Sequence, residues 1–287
     1  MGLFDKDDLK LDDLKIGNIG DTITDSLDVK DGTTIENYTL IEKVFMVIIS
    51  IIIFIVLLII GAKAIIYLFS PSKSPYLIKD TVNAEQQMVI STNPNITGSI
   101  PIYRSINEDN GVEFSWSCWI NITDLQYGYG KYKHIFHKGN DNIGNNGIIS
   151  PNNAPGLYIH PTQNALVVIM NTYTTIDEEI LITNIPLNKW INVIIIVEGN
   201  VLSVYINGTL VKLHQLSDVP KQNYGDVYVA MNGGFNGYIS KLKYFDYAIQ
   251  PGEIQYVNYW GPSNALSITS DLQYMSNPYL SLRWYFQ

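Results

Sequence analysis

Cysteine is all but missing from this sequence: Cys118 stands alone in 287 residues, which excludes an intrachain disulfide. The alternation around it (FSWSCWI, residues 114–120) reads as a strand that buries one face, and so as a structural thiol. Arginine is nearly missing too, present only at Arg104 and Arg283. With 18 basic against 27 acidic residues and a net charge of −9, nucleic acid is excluded as the main partner, because phosphate recognition needs clustered Lys and Arg. The four histidines, His134, His137, His160 and His214, form no His-Glu-x-x-His signature. His134 and His137 lie three apart in a strand-like run, where alternation sends them to opposite faces and away from a shared metal. No basic n-region precedes the first apolar run, so a cleaved signal peptide is not expected.

That apolar run is the most informative thing present. Val44 to Ala62 (VFMVIISIIIFIVLLIIGA) carries no charge, and its only polar side chain is Ser50. Nineteen residues make roughly 28 Å of helix, close to the ~30 Å hydrocarbon core of a bilayer. An uncleaved membrane anchor over residues 43–69 is expected, with Val44, Ile48, Ile52, Phe54, Leu57 and Ile60 facing lipid. Lys63 would snorkel to the headgroups and Tyr67 would sit in the aromatic belt. Before the anchor, Asp5, Asp7, Asp8, Asp12, Asp13, Asp21, Asp25, Asp28 and Asp31 crowd residues 1–42 into an acidic, flexible tail. Orientation turns on one charge. Lys30 and Lys43 precede the span and Lys63, Lys73 and Lys79 follow it, which leans the C-terminal domain to the cytoplasmic side.

Residues 70–83 read as a Pro/Ser-containing linker, and from Ala84 the chain reads as short strands between turn clusters. Strand-like runs cover 114–120, 134–137, 157–160, 165–170, 190–197, 201–206, 226–230 and 238–245. Glu198-Gly199-Asn200 and Asn207-Gly208 read as hairpin turns, the second leading into Thr209–Leu213. Gly234 and Gly237 suit a bulge or a close backbone approach. One short helical stretch falls around Gly252–Asn258. Many short antiparallel strands at this spacing predict a sandwich or barrel.

Four blocks occur in order: FSWSCWI (114–120), LNKWINV (187–193), LSVYING (202–208), and GFNGYIS (234–240) continuing to YAIQPGEI (247–254). This series resembles the laminin-G-like domains of the concanavalin A-like lectin/glucanase superfamily, over residues 84–261. The resemblance implies an all-β jelly-roll sandwich, here preceded by one transmembrane helix and the acidic tail. Residues 262–287 end on an apolar, aromatic segment (YLSLRWYFQ, 279–287) and read as a C-terminal extension, a strand packed on the sandwich or, alternatively, a docking strand for a partner. The later blocks (VPKQNYG, 219–225, then NGGFNG, 232–237) are most similar to proteins encoded by large DNA viruses, where such a domain often follows a transmembrane segment.

Some relatives of that superfamily hydrolyse glycans with paired carboxylates spaced Glu-x-Asp-x-Glu on one strand. The acidic cluster of this region, Asp177-Glu178-Glu179, fails that spacing, with Thr175 where the first Glu would be, so no catalytic residue is expected. Two loops longer than a hairpin needs, residues 124–132 and 139–156, supply candidate glycan- or partner-binding residues: Tyr127, Tyr129 and Tyr132, with Asn140, Asp141, Asn142 and Asn145. Asp141 is the one carboxylate of its loop, so no cofactor is expected, Ca²⁺ being a secondary expectation with its metal ligands unassigned. The functional expectation is a single-pass, non-enzymatic protein of a virion membrane, a minor capsid or inner-membrane component. Its partners would be the lipid bilayer and capsid or other virion proteins, ahead of a glycan-binding alternative and a remote glycoside hydrolase.

Overall fold

The computed structural model describes residues 39–70, 72–106 and 108–267. The acidic tail and the aromatic C-terminal segment, Tyr279–Gln287, lie outside these described residues. Two separate units divide at Ser70–Pro71.

The first unit contains α1 (Leu40–Phe69), 30 residues that start slightly before the expected span. Thr39 opens it with a capping box: its hydroxyl accepts the Glu42 N–H, and the Glu42 carboxylate accepts the Thr39 N–H at 2.7 Å. Large apolar side chains are exposed along α1, and the helix is long and apolar enough to cross a membrane.

The second unit is a sandwich of two six-stranded sheets. Sheet 1 runs in the order β1 (Val82–Asn83), β12 (Asn236–Phe245), β3 (Glu113–Asp124), β8 (Trp190–Glu198), β9 (Val201–Ile206) and β10 (Thr209–Gln215). Sheet 2 runs β2 (Met88–Ile90), β11 (Asp226–Val229), β4 (Lys133–Gly139), β5 (Asn153–Ile159), β6 (Ala165–Met170) and β7 (Glu178–Thr183). Every pairing between these strands is antiparallel. After β12, α2 (Pro251–Trp260) starts with Pro at its first turn, where the missing N–H matters least.

Strand alternation sorts each strand between the shared core and an outer face. On β3, Phe114, Trp116, Cys118, Ile120 and Ile122 enter the central core, where Trp116 stacks on Phe136 with ring centroids 5.3 Å apart. Cys118 is buried there, and burial pushes its thiol pKa up, as expected of a structural cysteine. The β9–β10 hairpin closes on Asn207 and Gly208, both at positive φ (51° and 81°), as the Asn-Gly pair predicts. Gly237 sits against the Asn121 carbonyl so closely that a Cβ would overlap it, the close approach expected of this glycine.

One expectation is overturned. His134 and His137 face the same side of β4, because a bulge between His134 and Phe136 turns two consecutive residues, Ile135 and Phe136, into the core. The extra residue cancels the alternation, and the two imidazoles meet on the outer face of sheet 2.

Candidate functional site

The outer face of sheet 2 carries the histidine pair. The Met231 N–H donates to His134 Nδ1 (3.0 Å), which places the His134 proton on Nε2. That Nε2–H donates to His137 Nδ1 (2.7 Å), and His137 Nε2–H donates to the Asn140 carbonyl (2.7 Å). All four ring nitrogens are thus engaged with both rings neutral, leaving no lone pair for a metal. Burial holds both pKa values down, His134 well below 6.5 and His137 at about 4. His137 also stacks on Tyr228 at 5.0 Å, and His134 meets Tyr158 edge-on at 5.3 Å. The pair ties β4 to its neighbours and is built for structure.

The expected binding loops flank this face. The segment between β4 and β5 folds back over it, burying Ile148 and Ile149 against Tyr158, Val167, Ile169 and Met231. Its amides are largely consumed by its own backbone: Asn140 donates to the Ser150 carbonyl (3.0 Å) and accepts from the Asn152 N–H (3.1 Å). Asp141, Asn142 and Asn145 are exposed. Tyr127 donates to the Gly233 carbonyl (3.0 Å), Tyr129 is exposed, and Tyr132 donates to Glu179 (3.2 Å) beside His160. Of the three tyrosines, Tyr132 meets the asparagine-rich loop: its N–H donates to the Asn146 carbonyl (2.9 Å), and its ring packs on the cluster that contains Ile148 and Ile149. Among the described residues, no group of three His, Cys, Asp or Glu side chains is placed to hold a metal ion.

The acidic cluster at the sandwich edge resembles a hydrolytic triad only in composition. Glu178 accepts from Ser217 Oγ (2.7 Å) and bonds His214 Nε2 (2.8 Å). The carboxylate stands between serine and histidine, so the imidazole does not reach the hydroxyl, and the order is not the serine–histidine–carboxylate relay of an activated serine. Burial raises the Glu178 pKa, but the hydrogen bonds from Ser217 and His214 outweigh it and hold the carboxyl below its ordinary value. Glu179, next on the strand, points to the opposite face, so the two carboxylates cannot flank one bond.

The outer face of sheet 1 is different. In its rows, Tyr238, Asn121 and Trp190 lie side by side, then Ser240, Trp119 and Asn192, then Lys243, Ser117 and Ile194. α2 covers one end of this face through Ile254, which packs with Ile194, Ile196 and Phe245. Between α2, the sheet and Tyr76 lies a groove of about 330 Å³, lined by the rings of Tyr76, Trp119, Tyr256 and Trp260 with Ser117, Lys243 and Glu253. Lys243 lies between the Tyr76 and Phe245 rings, 4.8 and 4.5 Å from their centroids, and burial lowers its pKa. Tyr247 donates to Glu253 (2.6 Å); burial and that carboxylate push its hydroxyl up to about 12.

Three buried polar atoms at this face have no hydrogen-bond partner among the described residues: Trp119 Nε1, Asn121 Oδ1 and Asn192 Oδ1. One donor and two acceptors at neighbouring positions are costly to leave unmade in a fold of this kind. Trp119 is buried (6% exposed) but faces the groove, and Trp190 is half-buried. The signal available in the sequence was the phase of FSWSCWI: if Trp116 enters the core, Trp119 cannot share its face.

No characterised protein matches the chain in sequence at a significant level. Among solved structures it is similar to the receptor-binding domain of botulinum neurotoxin D, at 17% identity and TM-score 0.44, covering 65% of this chain and 48% of that one. It is also similar to the serotype D ligand-binding domain in complex with N-acetylneuraminic acid (15% identity, TM-score 0.46, 65% of this chain, 45% of that one). A third is the binding domain of neurotoxin DC in complex with rat synaptotagmin II (17%, TM-score 0.44, 61% and 40%). The chain spans less than half the length of these structures. Residues 96–255 match the laminin-G-type family model described as the concanavalin A-like lectin/glucanases superfamily. With more than half of its length inside that match and two antiparallel sheets around one core, this chain belongs to the concanavalin A-like lectin/glucanase superfamily.

Proposed function

We propose that this protein is a membrane-anchored, non-catalytic binding protein: α1 spans a bilayer and the sandwich recognises a glycan in the groove beside α2. One observation carries the ligand class. The groove combines the Tyr76 and Trp119 rings, which stack on the apolar side of a sugar ring, with the buried, unpartnered Trp119 indole N–H and the polar side chains of Ser117, Lys243 and Glu253, which match sugar hydroxyls. Its volume fits one or two sugar units at the small end of ligand sites. The non-catalytic part rests on the separated carboxylates of β7 and the engaged histidines.

A glycan array probed with the full chain in detergent tests this reading. Binding should fall at least about tenfold in Lys243→Met or Trp119→Phe, persist in Tyr127→Ala/Tyr129→Ala and survive a chelator. A blank array overturns it. Loss confined to the Tyr127 and Tyr129 variant moves the site to the loops around Asp141, and release of reducing ends from any β-glucan overturns the non-catalytic claim.

A second reading, a scaffold linking a virion membrane to its protein shell, is favoured by β10. This edge strand of sheet 1 exposes Leu210, Val211 and Leu213, a row suited to strand addition by a partner. In intact particles, crosslinks from Lys212 to capsid subunits are expected on this reading. Particles whose crosslinks from Lys212 reach no shell protein overturn it.

A further inference from the structure

We propose that the exposed aromatic face of α2 beds the sandwich into the headgroup region of the bilayer that α1 spans; this rests on the membrane-anchor reading. Tyr256, Tyr259 and Trp260 are spaced i, i+3 and i+4, so they share one face of α2. They are 64%, 83% and 59% exposed, while Ile254 on the opposite side is buried against sheet 1. Their rings touch each other edge-on, Tyr256–Trp260 at 6.0 Å and Tyr259–Trp260 at 5.8 Å, so the face is one continuous aromatic surface. Lys241 fixes the end of the helix, its ammonium donating to the Gly261 carbonyl at 2.8 Å.

Tyr and Trp have an apolar body and a polar tip, and they concentrate where hydrocarbon meets water. The tether decides that the occupant is lipid. The chain leaves α1 at Phe69 and is already fixed in the sandwich by Pro75 and Leu77: the Pro75 carbonyl accepts from Tyr244, and the Leu77 N–H donates to Leu242. Residues 70–75 span at most about 20 Å when fully extended. The next residue, Tyr76, lines the same groove as Tyr256 and Trp260. The point where the tether enters and the aromatic face therefore occupy one end of the sandwich, held within a short reach of the membrane surface. Lys73 and Lys79 on the same segment are exposed, and their positive charges suit lipid phosphates.

The test uses the full chain reconstituted into phosphatidylcholine vesicles containing lipids with a nitroxide near the headgroup. α1 contains no tryptophan, so lipid-borne quenching of tryptophan emission reports on the rest of the chain. Quenching is expected, and Trp260→Phe should remove most of it, while Trp284→Phe leaves it in place. Introducing Tyr259→Trp into the Trp260→Phe background should restore it, which separates lost contact from lost folding. Quenching unchanged by Trp260→Phe overturns the docking, as does quenching that depends on protein density in the vesicle, which would place a second copy on this face. An alkaline carbonate wash distinguishes the two readings: a chain that stays in the vesicles without Trp260 quenching sinks only the docking, and one that washes off sinks the anchor with it.

Discussion

His137 accepts one proton on Nδ1 and gives another from Nε2, and that arrangement makes the sandwich sensitive to acid. Both rings of the pair are neutral in the fold, and burial keeps the His137 pKa at about 4 against 6.5 in an unfolded chain. The folded pKa is depressed, so between these values the unfolded state binds more protons. The stabilisation is complete above pH ~6.5, falls as pH drops toward 4, and amounts to about 3 kcal/mol from His137 alone. Chemical denaturation at a series of pH values should show this loss, and a His134→Leu/His137→Leu variant should lack it. An equal slope in both proteins would refute the assignment. The pairing was half legible. The segment HIFH shows two adjacent apolar residues between two polar ones, a pattern that strict alternation cannot place and a bulge can.

At the scale of elements, the turn chemistry was the most legible part. The expected strand runs from Phe114 to Phe245 each coincide with a strand, His160 and Ala230 falling one residue past theirs, because β-branched runs between Gly- and Asn-containing turns leave the backbone few alternatives. β1, β2 and β7 were missed. The first two are only two and three residues long, and β7 opens on Glu178 and Glu179, which disguise the buried pair Ile180 and Ile182. The loop between β4 and β5 was read by its polar residues alone, yet Ile148 and Ile149 anchor it across the outer face of sheet 2. Ile149→Ala should destabilise the sandwich by about 2–4 kcal/mol in urea denaturation, as for a fully buried core residue. A change below about 0.5 kcal/mol would mean that the loop lies over the sheet without holding to it.

For the whole molecule, an apolar helix followed by an antiparallel sandwich followed directly from the run Val44–Ala62 and the four ordered blocks. The groove did not, because its walls come from segments far apart in sequence: Tyr76 before the first strand, Trp119 on β3, Lys243 on β12 and Trp260 at the end of α2. Only the closing of β12 against β3 brings them together. On the anchor reading, the six-residue tether also sets how tightly the groove must grip. A recognition domain tethered to a membrane meets a ligand displayed there at an effective concentration set by that ligand's surface density, on the order of millimolar where the ligand is abundant. Intrinsic dissociation constants near that value would already fill the site, while a soluble ligand at micromolar concentration would leave it mostly free. Such a protein discriminates by where a ligand is displayed as much as by what it is.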